Sequence, residues 1–414
     1  VKRVERIRLY PTRRQVEQLR FMLDVTRQLY NALLEERREA YRRRRVRVTA
    51  KQQYAEITAL RGPVHRIDGR LAAVYRECED AVLHRLELAF QAFFRRLRRG
   101  EKPGYPRFRS RCRWSQVEFP HGDRALLFDE HQRRLRVPGV GDVRLRKGRE
   151  VPPAFGRAWI VERNGRWYGC FECDRAVQLL PATGCIVGVD RGVHVLAATS
   201  DGCLMRNPRH LERARHHLEQ LQRTVTRRRK GGKSRGKAVA QLARAHERLA
   251  NARRDALHKA SQRLVNSADV VALEALNLRS MTRSAKGTIE KPGTNVVAKA
   301  GLNRVLLDAS FGLLHRLIVE KAESAARRVV LVDPRYSSQT CSRCGHVAAE
   351  SRRRRRFVCI TCGFVLHADV NAALVIRRRA ELRPAGSGAS REDRNDLRSA
   401  LSQARTLLTQ SDVA

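Results

Sequence analysis

Residues 341–371, CSRCGHVAAESRRRRRFVCITCGFVLHADVN, carry two Cys-x-x-Cys pairs, Cys341/Cys344 and Cys359/Cys362, with fourteen residues between them. Glycine follows each pair, at Gly345 and Gly363, where a tight turn around thiolates needs a residue free to take positive φ. Four soft thiolates at this spacing suit one tetrahedral zinc, so the segment reads as a zinc ribbon. A four-thiolate zinc keeps no position open for water, which makes it structural rather than catalytic. Asp369 stands seven residues after the last cysteine, at the predicted start of a helix over 368–379.

Around this segment the charge is extreme. The 414 residues hold 86 Lys+Arg against 42 Asp+Glu, a formal net charge of +44, yet 42% are hydrophobic, enough for a folded protein of two or three domains. Such a field needs a polyanion to neutralise it. Nucleic acid leads over an anionic membrane surface, because the cations are spread through every segment rather than gathered on one amphipathic helix. No run of eighteen apolar residues exists and VKRVERIRLYPT has no signal-peptide apolar core, so a cytoplasmic, nucleoid-associated protein is expected. The ten cysteines fit a reducing compartment. Cys170 and Cys173 form another Cys-x-x-Cys, but they lie in a strand-like run without a partner pair and read as structural.

In chain order, residues 1–10 read as a short strand, and Thr12–Gln15 forms a capping box that opens a helix running to Arg42–Arg45. A second helix is expected around 52–60, interrupted by Gly62-Pro63. A third carries one continuous apolar stripe from Leu71 to Leu97, ended by Gly100. The loop EKPGYPRFRSRCRW (101–114) sets Tyr105, Phe108 and Trp114 among lysine and arginine. Lys102, Tyr105, Arg107, Phe108 and Arg109 are therefore candidates for stacking and phosphate contact. Residues 115–180 are short alternating runs with an Asn164-Gly165 hairpin signal, a small antiparallel barrel or sheet completed by strand 1–10. A helical hairpin spans 209–265. Its tip, RRRKGGKSRGK (227–237), is flexible and cationic, with Arg228, Lys230 and Lys233 as phosphate-contact candidates. Residues 302–327 read as helix, RRVVLVDP as a strand, and 381–414 as a disordered tail.

Two acids close buried strand-like runs: Asp190 after CIVGV and Glu274 after DVVAL. Sites form at the C-terminal edges of such strands in mixed sheets. Together with Asp369 they would hold hard divalent cations. Two Mg²⁺ ions about 3.5–4 Å apart activate water and stabilise the leaving oxygen of a phosphodiester. Without metal, three converging carboxylates would repel one another and any nucleic acid. Taken singly, each acid also has a bland reading as a turn, strand-end or helix-start residue, and Asp201 and Asp333 read as turn residues.

GVDRGVHVLAATSDG, VALEALNLRSM and VDPRYSSQTCSRCGHV…FVCITCGFVLHADVNAA together resemble the split RuvC-like nuclease and zinc ribbon of TnpB, the transposon-encoded RNA-guided DNA endonuclease family related to miniature type V CRISPR effectors. The resemblance continues N-terminally through RLYPTRRQVEQL and FFRRLRRGEKPGYPRFRS, and covers roughly 1–380. It implies Asp190, Glu274 and Asp369 as catalytic Mg²⁺ ligands and Cys341, Cys344, Cys359 and Cys362 as ligands of one structural zinc. The implied fold class is multidomain α+β and bilobed: a helical recognition domain (11–114) inserted in a β-barrel wedge domain (1–10 and 115–180), then an RNase H-like RuvC nuclease domain. The nuclease domain would comprise 181–336 and 367–380, interrupted by the ribbon at 337–366. The implied partners are a guide RNA and target double-stranded DNA paired in a channel between lobes, with a monomer or homodimer on one guide and no membrane. Two alternatives remain at this stage: a nuclease-inactive guided repressor and an unguided RuvC-type nuclease. Two departures stand out. Arg191 follows Asp190 where the family commonly has an apolar residue, and Arg352–Arg356 fill the ribbon loop.

Overall fold

The computed structural model describes residues 2–61, 69–148, 150–288 and 290–382, and divides into two compact units, 1–175 and 176–414. Gly62-Pro63 and all but the first two residues of the expected tail lie outside the described residues.

The first unit begins with β1 (Lys2–Tyr10) and then four helices: α1 (Arg13–Arg44), α2 (Ala50–Arg61), α3 (Gly69–Ala72) and α4 (Arg76–Arg98). Thr12 caps α1 as its sequence requires: its hydroxyl accepts from the Gln15 amide, and the Gln15 side chain accepts from the Thr12 amide. Arg45, at φ 55°, ends the helix in the left-handed region. The third helix is shorter than its apolar stripe: Leu71 belongs to α3, Val74 to the link and Tyr75 to the α4 cap. All three still face the core, because a turn can bury apolar residues without continuing the helical period.

After the helices come β2 (Gln116–Phe119), α5 (Gly122–Ala125), β3 (Leu127–Asp129), β4 (Arg134–Val137), β5 (Gly141–Leu145), β6 (Ala158–Arg163) and β7 (Arg166–Asp174). The seven strands form an antiparallel sheet in the order β2-β6-β7-β1-β5-β4-β3, so β1 joins strands far along the chain, as expected, and the helices are an insertion after it. The expected barrel is not closed: the edge strands β2 and β3 do not pair, and at four and three residues they leave few ladder positions with which to close. Helices and sheet share one core around Ile7, Leu9, Tyr30, Leu34, Leu86, Phe119 and Phe171. Cys170 and Cys173 sit on opposite faces of β7, three residues apart along a strand, and cannot share a metal.

The second unit is built on β8 (Ile186–Asp190), β9 (Val195–Thr199), β10 (Leu204–Arg206), β11 (Val270–Glu274) and β12 (Arg328–Val332), in the order β10-β9-β8-β11-β12. β8, β11 and β12 run parallel, and β9 and β10 are antiparallel to their neighbours. Its helices are α6 (His210–Arg227), α7 (Lys233–Ser267), α8 (Leu278–Met281), α9 (Val296–Ala309), α10 (Phe311–Ser324) and α11 (Ala368–Glu381). α7 and α10 cover one face of the sheet through Leu257, Leu264, Leu314 and Ile318, and α11 covers the other through Ile376 and Ala380. Burial on both faces explains why IVGV and VVAL are unbroken apolar runs.

Two expectations are corrected in this unit. The helix foreseen over 302–327 is two helices, broken where Ser310 adopts φ 53°, ψ 47°, and it starts earlier, at Val296. The cationic tip is shorter than 227–237, because α7 already begins at Lys233. α6 and α7 form the expected hairpin, with Leu218, Leu242 and Ala245 buried against Leu211, Ala214, Leu221, Val225 and Leu249.

The ribbon is a three-stranded antiparallel sheet of β13 (Arg352–Arg353), β14 (Arg356–Val358) and β15 (Val365–His367), and it leads directly into α11. No described helix is long and apolar enough to cross a membrane.

Candidate active site and zinc ribbon

Asp190 and Glu274 are the last residues of β8 and β11. These strands are parallel neighbours in register, Val189 opposite Leu273, so the two acids emerge side by side from one edge of the sheet. Asp369 arrives from a different direction, in the first turn of α11, whose N-cap His367 accepts from the Asp369 amide at 3.3 Å. What brings α11 this close to β8 is Gly188. A Cβ there would collide with the Ala373 carbonyl oxygen and the Arg377 amide, so the helix lies directly on the strand backbone.

The electrostatics register the convergence. The Asp190 carboxyl is pushed up to about 7, first by burial, then by the charges of Glu274 and Asp369, against the pull of Arg352 and Arg191. Ser337 donates to Glu274 Oε1 at 2.5 Å, and Arg352 of β13 donates to Asp369 Oδ1 at 3.0 Å. The donor set is three buried or part-buried carboxylates, chemistry that fits hard cations such as Mg²⁺. Their oxygens do not all fall within 4.8 Å of one another, a span that, among the described residues, only the four cysteines meet.

In the ribbon, Cys341 Sγ lies 3.8 Å from Cys362 Sγ, and Cys344 Sγ lies 3.5 Å from Cys359 Sγ. Sulfurs about 2.3 Å from one zinc in a tetrahedron stand about 3.8 Å apart, so the four thiolates fit the ion. The two knuckles repeat the same turn: the Gly345 amide donates to Cys341 O at 2.9 Å and the Gly363 amide to Cys359 O at 3.0 Å, with φ of 79° and 68° at the glycines. Backbone amides of Cys362 and Thr361 hold the Cys359 thiol down to about 6, whereas, against the pull of the Phe364 amide, burial and the neighbouring thiols push Cys362 up to about 12.

Asn371 ties the ribbon to α11, and nothing in its sequence context singles it out. Fully buried, it accepts from the Ser342 amide at 3.0 Å and donates to Thr340 O at 2.8 Å. No pattern in the sequence marks Ser337 or Arg352 as a partner of the acids either. Gly188 alone had a readable signal, a glycine inside an apolar strand. Asp201 and Asp333 behave as turn formers: Asp201 accepts from the Thr199 hydroxyl and Asp333 from the Arg335 amide.

The nucleic-acid candidates divide. Lys102, Arg107, Arg228, Lys230 and Lys233 are exposed, with Arg228 donating to Ser234 O at 2.9 Å. Phe108 is exposed beneath Arg38. Tyr105 is exposed on one side and packs edge-on against Phe90 and Phe93 on the other. Arg109 is part-buried over Tyr30, and the Asn31 side chain grips its backbone from both directions. Trp114, set among the same cations but not one of the candidates, is 5% exposed. Its indole donates to Thr26 Oγ1 at 2.9 Å, so it anchors the loop.

The family described as "Probable transposase" (OrfB_IS605) matches residues 171–285, its helix-turn-helix domain matches 1–45, and the Cas12f1-like TNB domain matches 311–376. The described part of 1–45 holds one strand and one long helix rather than a helix pair. InsQ of Escherichia coli (strain K12), an inferred RNA-guided DNA endonuclease, is 32% identical over 290 residues, covering 70% of each chain. An inferred RNA-guided DNA endonuclease of Streptomyces pristinaespiralis is 30% identical over 377 residues, 90% of this chain and 88% of that one. Among solved structures, the mini-RNA-guided endonuclease CRISPR-Cas_phi3 covers 94% of each chain at 9% identity with a TM-score of 0.49.

Proposed function

Because the chain belongs to the family of RNA-guided DNA endonucleases that includes InsQ, we propose that it is an enzyme that hydrolyses DNA at a site selected by a guide RNA. Base pairing between guide and target supplies the sequence specificity, and the protein reads a short flanking motif. In this reading α1–α4 are recognition helices carried by a wedge-like sheet, and the five-stranded sheet with α11 is a RuvC-like nuclease fold of the RNase H type that contains the ribbon.

Asp190, Glu274 and Asp369 would hold a pair of Mg²⁺ ions. When bound, these supply an activated water and charge stabilisation for the leaving oxygen of each DNA strand. The chain's own residues prepare that site. Ser337 orients Glu274, Arg352 holds Asp369 until a cation competes for the carboxylate or a phosphate for the guanidinium, and burial keeps the three acids out of bulk water. Cys341, Cys344, Cys359 and Cys362 hold one structural zinc. Lys102, Arg107, Phe108, Arg228, Lys230 and Lys233 contact nucleic acid, with Tyr105 and Arg109 shaping the loop between them. The partners are the guide RNA and target double-stranded DNA, bound by a monomer or a homodimer in the nucleoid-associated cytoplasm.

The observation that carries the reading is geometric: Asp190 and Glu274 end neighbouring parallel strands, and α11, seated on Gly188, carries Asp369 in its first turn beside them, three acids remote in sequence in a protein of net charge +44. The test is to express the protein with its native flanking DNA, recover its RNA and assay cutting with and without that RNA. One defined RNA that is required for cutting is expected. Random cellular RNA, or equal cutting without RNA, would overturn the guided reading.

A further inference from the structure

The residue directly after Asp190 has no part in the chemistry above. Arg191 is 6% exposed, buried where arginine is costly to keep. Its Nη2 donates to the backbone oxygen of Glu274 at 2.5 Å, linking the end of β8 to the end of β11. Its Nε is buried with no hydrogen-bond partner among the described residues. A guanidinium stays charged at neutral pH, so this buried side chain places a cation one residue from Asp190 and against the end of β11. His315 of α10 lies close enough to feel it. Burial first, and then the Arg191 charge, drop that imidazole to about 4, so His315 is neutral and cannot itself balance or replace the cation.

We propose that Arg191 is a positioning residue that serves as a resident counter-cation of the acidic site: it fixes the Glu274 strand end, offsets the carboxylates when no divalent cation is bound, and so opposes divalent binding. Two consequences follow in opposite directions. Without metal, removing the guanidinium charge leaves the acids with Arg352 as remaining counter-charge, too little for three carboxylates, and destabilises the fold. With metal, the same removal takes away a repulsion, and the cation binds more tightly. A residue that only filled space would produce the first effect and not the second.

This inference rests on the reading that Asp190, Glu274 and Asp369 hold the divalent ions, and the experiment separates the two. Mn²⁺ binding to the zinc-loaded, RNA-free full chain is measured by electron paramagnetic resonance for wild type, Arg191→Gln, Arg191→Lys and Asp369→Asn. Gln retains a donor for the Glu274 carbonyl and loses the charge, and Lys retains the charge. Arg191→Gln is expected to bind Mn²⁺ about tenfold more tightly than wild type, with Arg191→Lys close to wild type. In chelator-free, Mg²⁺-free buffer Arg191→Gln should melt below wild type, and added Mg²⁺ should raise its melting temperature by more. If Arg191→Gln is unfolded without Mg²⁺, recovery of folding on adding it supports the proposal and failure to recover overturns it. Equal or weaker Mn²⁺ binding by a folded Arg191→Gln, with binding lost in Asp369→Asn, sinks the counter-cation and leaves the metal reading standing. Wild-type binding in Asp369→Asn sinks the metal reading itself, and the counter-cation with it.

Discussion

The five-stranded sheet and the ribbon both deliver acids to one site, and they are stabilised in opposite ways. The sheet places Asp190 and Glu274 by packing: Val187, Val189, Val271 and Leu273 are buried within an extended core shared with α7 and α10. The ribbon has almost no core. Phe357 is the one large side chain buried with Cys341, Cys359 and Ala368, and Cys362 and Phe364 are only partly covered. A fold that small depends on its metal. Two acids are therefore held by apolar burial, and the third by a helix that starts on a zinc-dependent module and lies against the sheet. The site is complete only while both supports hold.

Removing the acids themselves should have the largest effect. Asp190→Ala, Glu274→Ala and Asp369→Ala should each cut DNA about 10³-fold more slowly or worse, while guided binding to a matched target persists. Retained cutting by Asp190→Ala would take that residue out of the mechanism. Next comes the ribbon. Structural zinc contributes on the order of 10 kcal/mol to modules of this kind. Cys359→Ser should therefore strip hydrogen-exchange protection from the amides of 341–366, with β8 and β11 still protected, and cutting should fall with it. A Cys359→Ser protein that is folded throughout and fully active would mean that the metal and Asp369 are uncoupled. Below that stands Gly188→Ala, a methyl group driven into the α11 backbone, expected to cost about 1–3 kcal/mol by denaturant unfolding and to reduce cutting. If it unfolds the ribbon and spares the sheet, the division of labour drawn above is reversed.

The same division explains what could be read from the chain. The strands were legible because burial on both faces leaves an unbroken apolar run, and the acids closing those runs stand out against it. The cysteines were legible because thiolate spacing is dictated by the ion. Other features turn on contacts that leave no periodic trace. Leu71, Val74 and Tyr75 are apolar whether a helix or a turn carries them, so the apolar stripe puts the start of α4 too early. The α9–α10 break rests on Ser310 taking a left-handed conformation inside an apolar pattern that runs straight through it. Among the aromatics of 101–114, composition does not say which turns inward. Trp114 does because Thr26 and Tyr30 offer it an acceptor and a ring, both from α1, far back in the chain. Ser337, Arg352 and Asn371 are ordinary polar residues until the fold sets them against Glu274, Asp369 and the first knuckle.

Asn371 gives the finest test of how the two supports are joined. Its side chain grips the first knuckle through both an acceptor and a donor, at Ser342 and Thr340, and it sits two residues from Asp369 on the same turn of α11. Asn371→Ala leaves a part-buried amide and carbonyl without their Asn371 partner, a loss of about 1 kcal/mol. Neither the zinc thiolates nor the contact of α11 with β8 is touched. The expected result is a protein that retains zinc at wild-type stoichiometry and melts only slightly earlier, yet cuts about tenfold more slowly, because a small displacement of a ligand is costly where geometry decides the rate. Asn371→Asp should rescue only in part, since the carboxylate still accepts from Ser342 but has no donor for Thr340. If Asn371→Ala cuts at the wild-type rate, the seat of α11 on Gly188 is sufficient to position Asp369. The ribbon's contribution to the site then reduces to covering it, and the comparison with the sheet becomes one of stability alone.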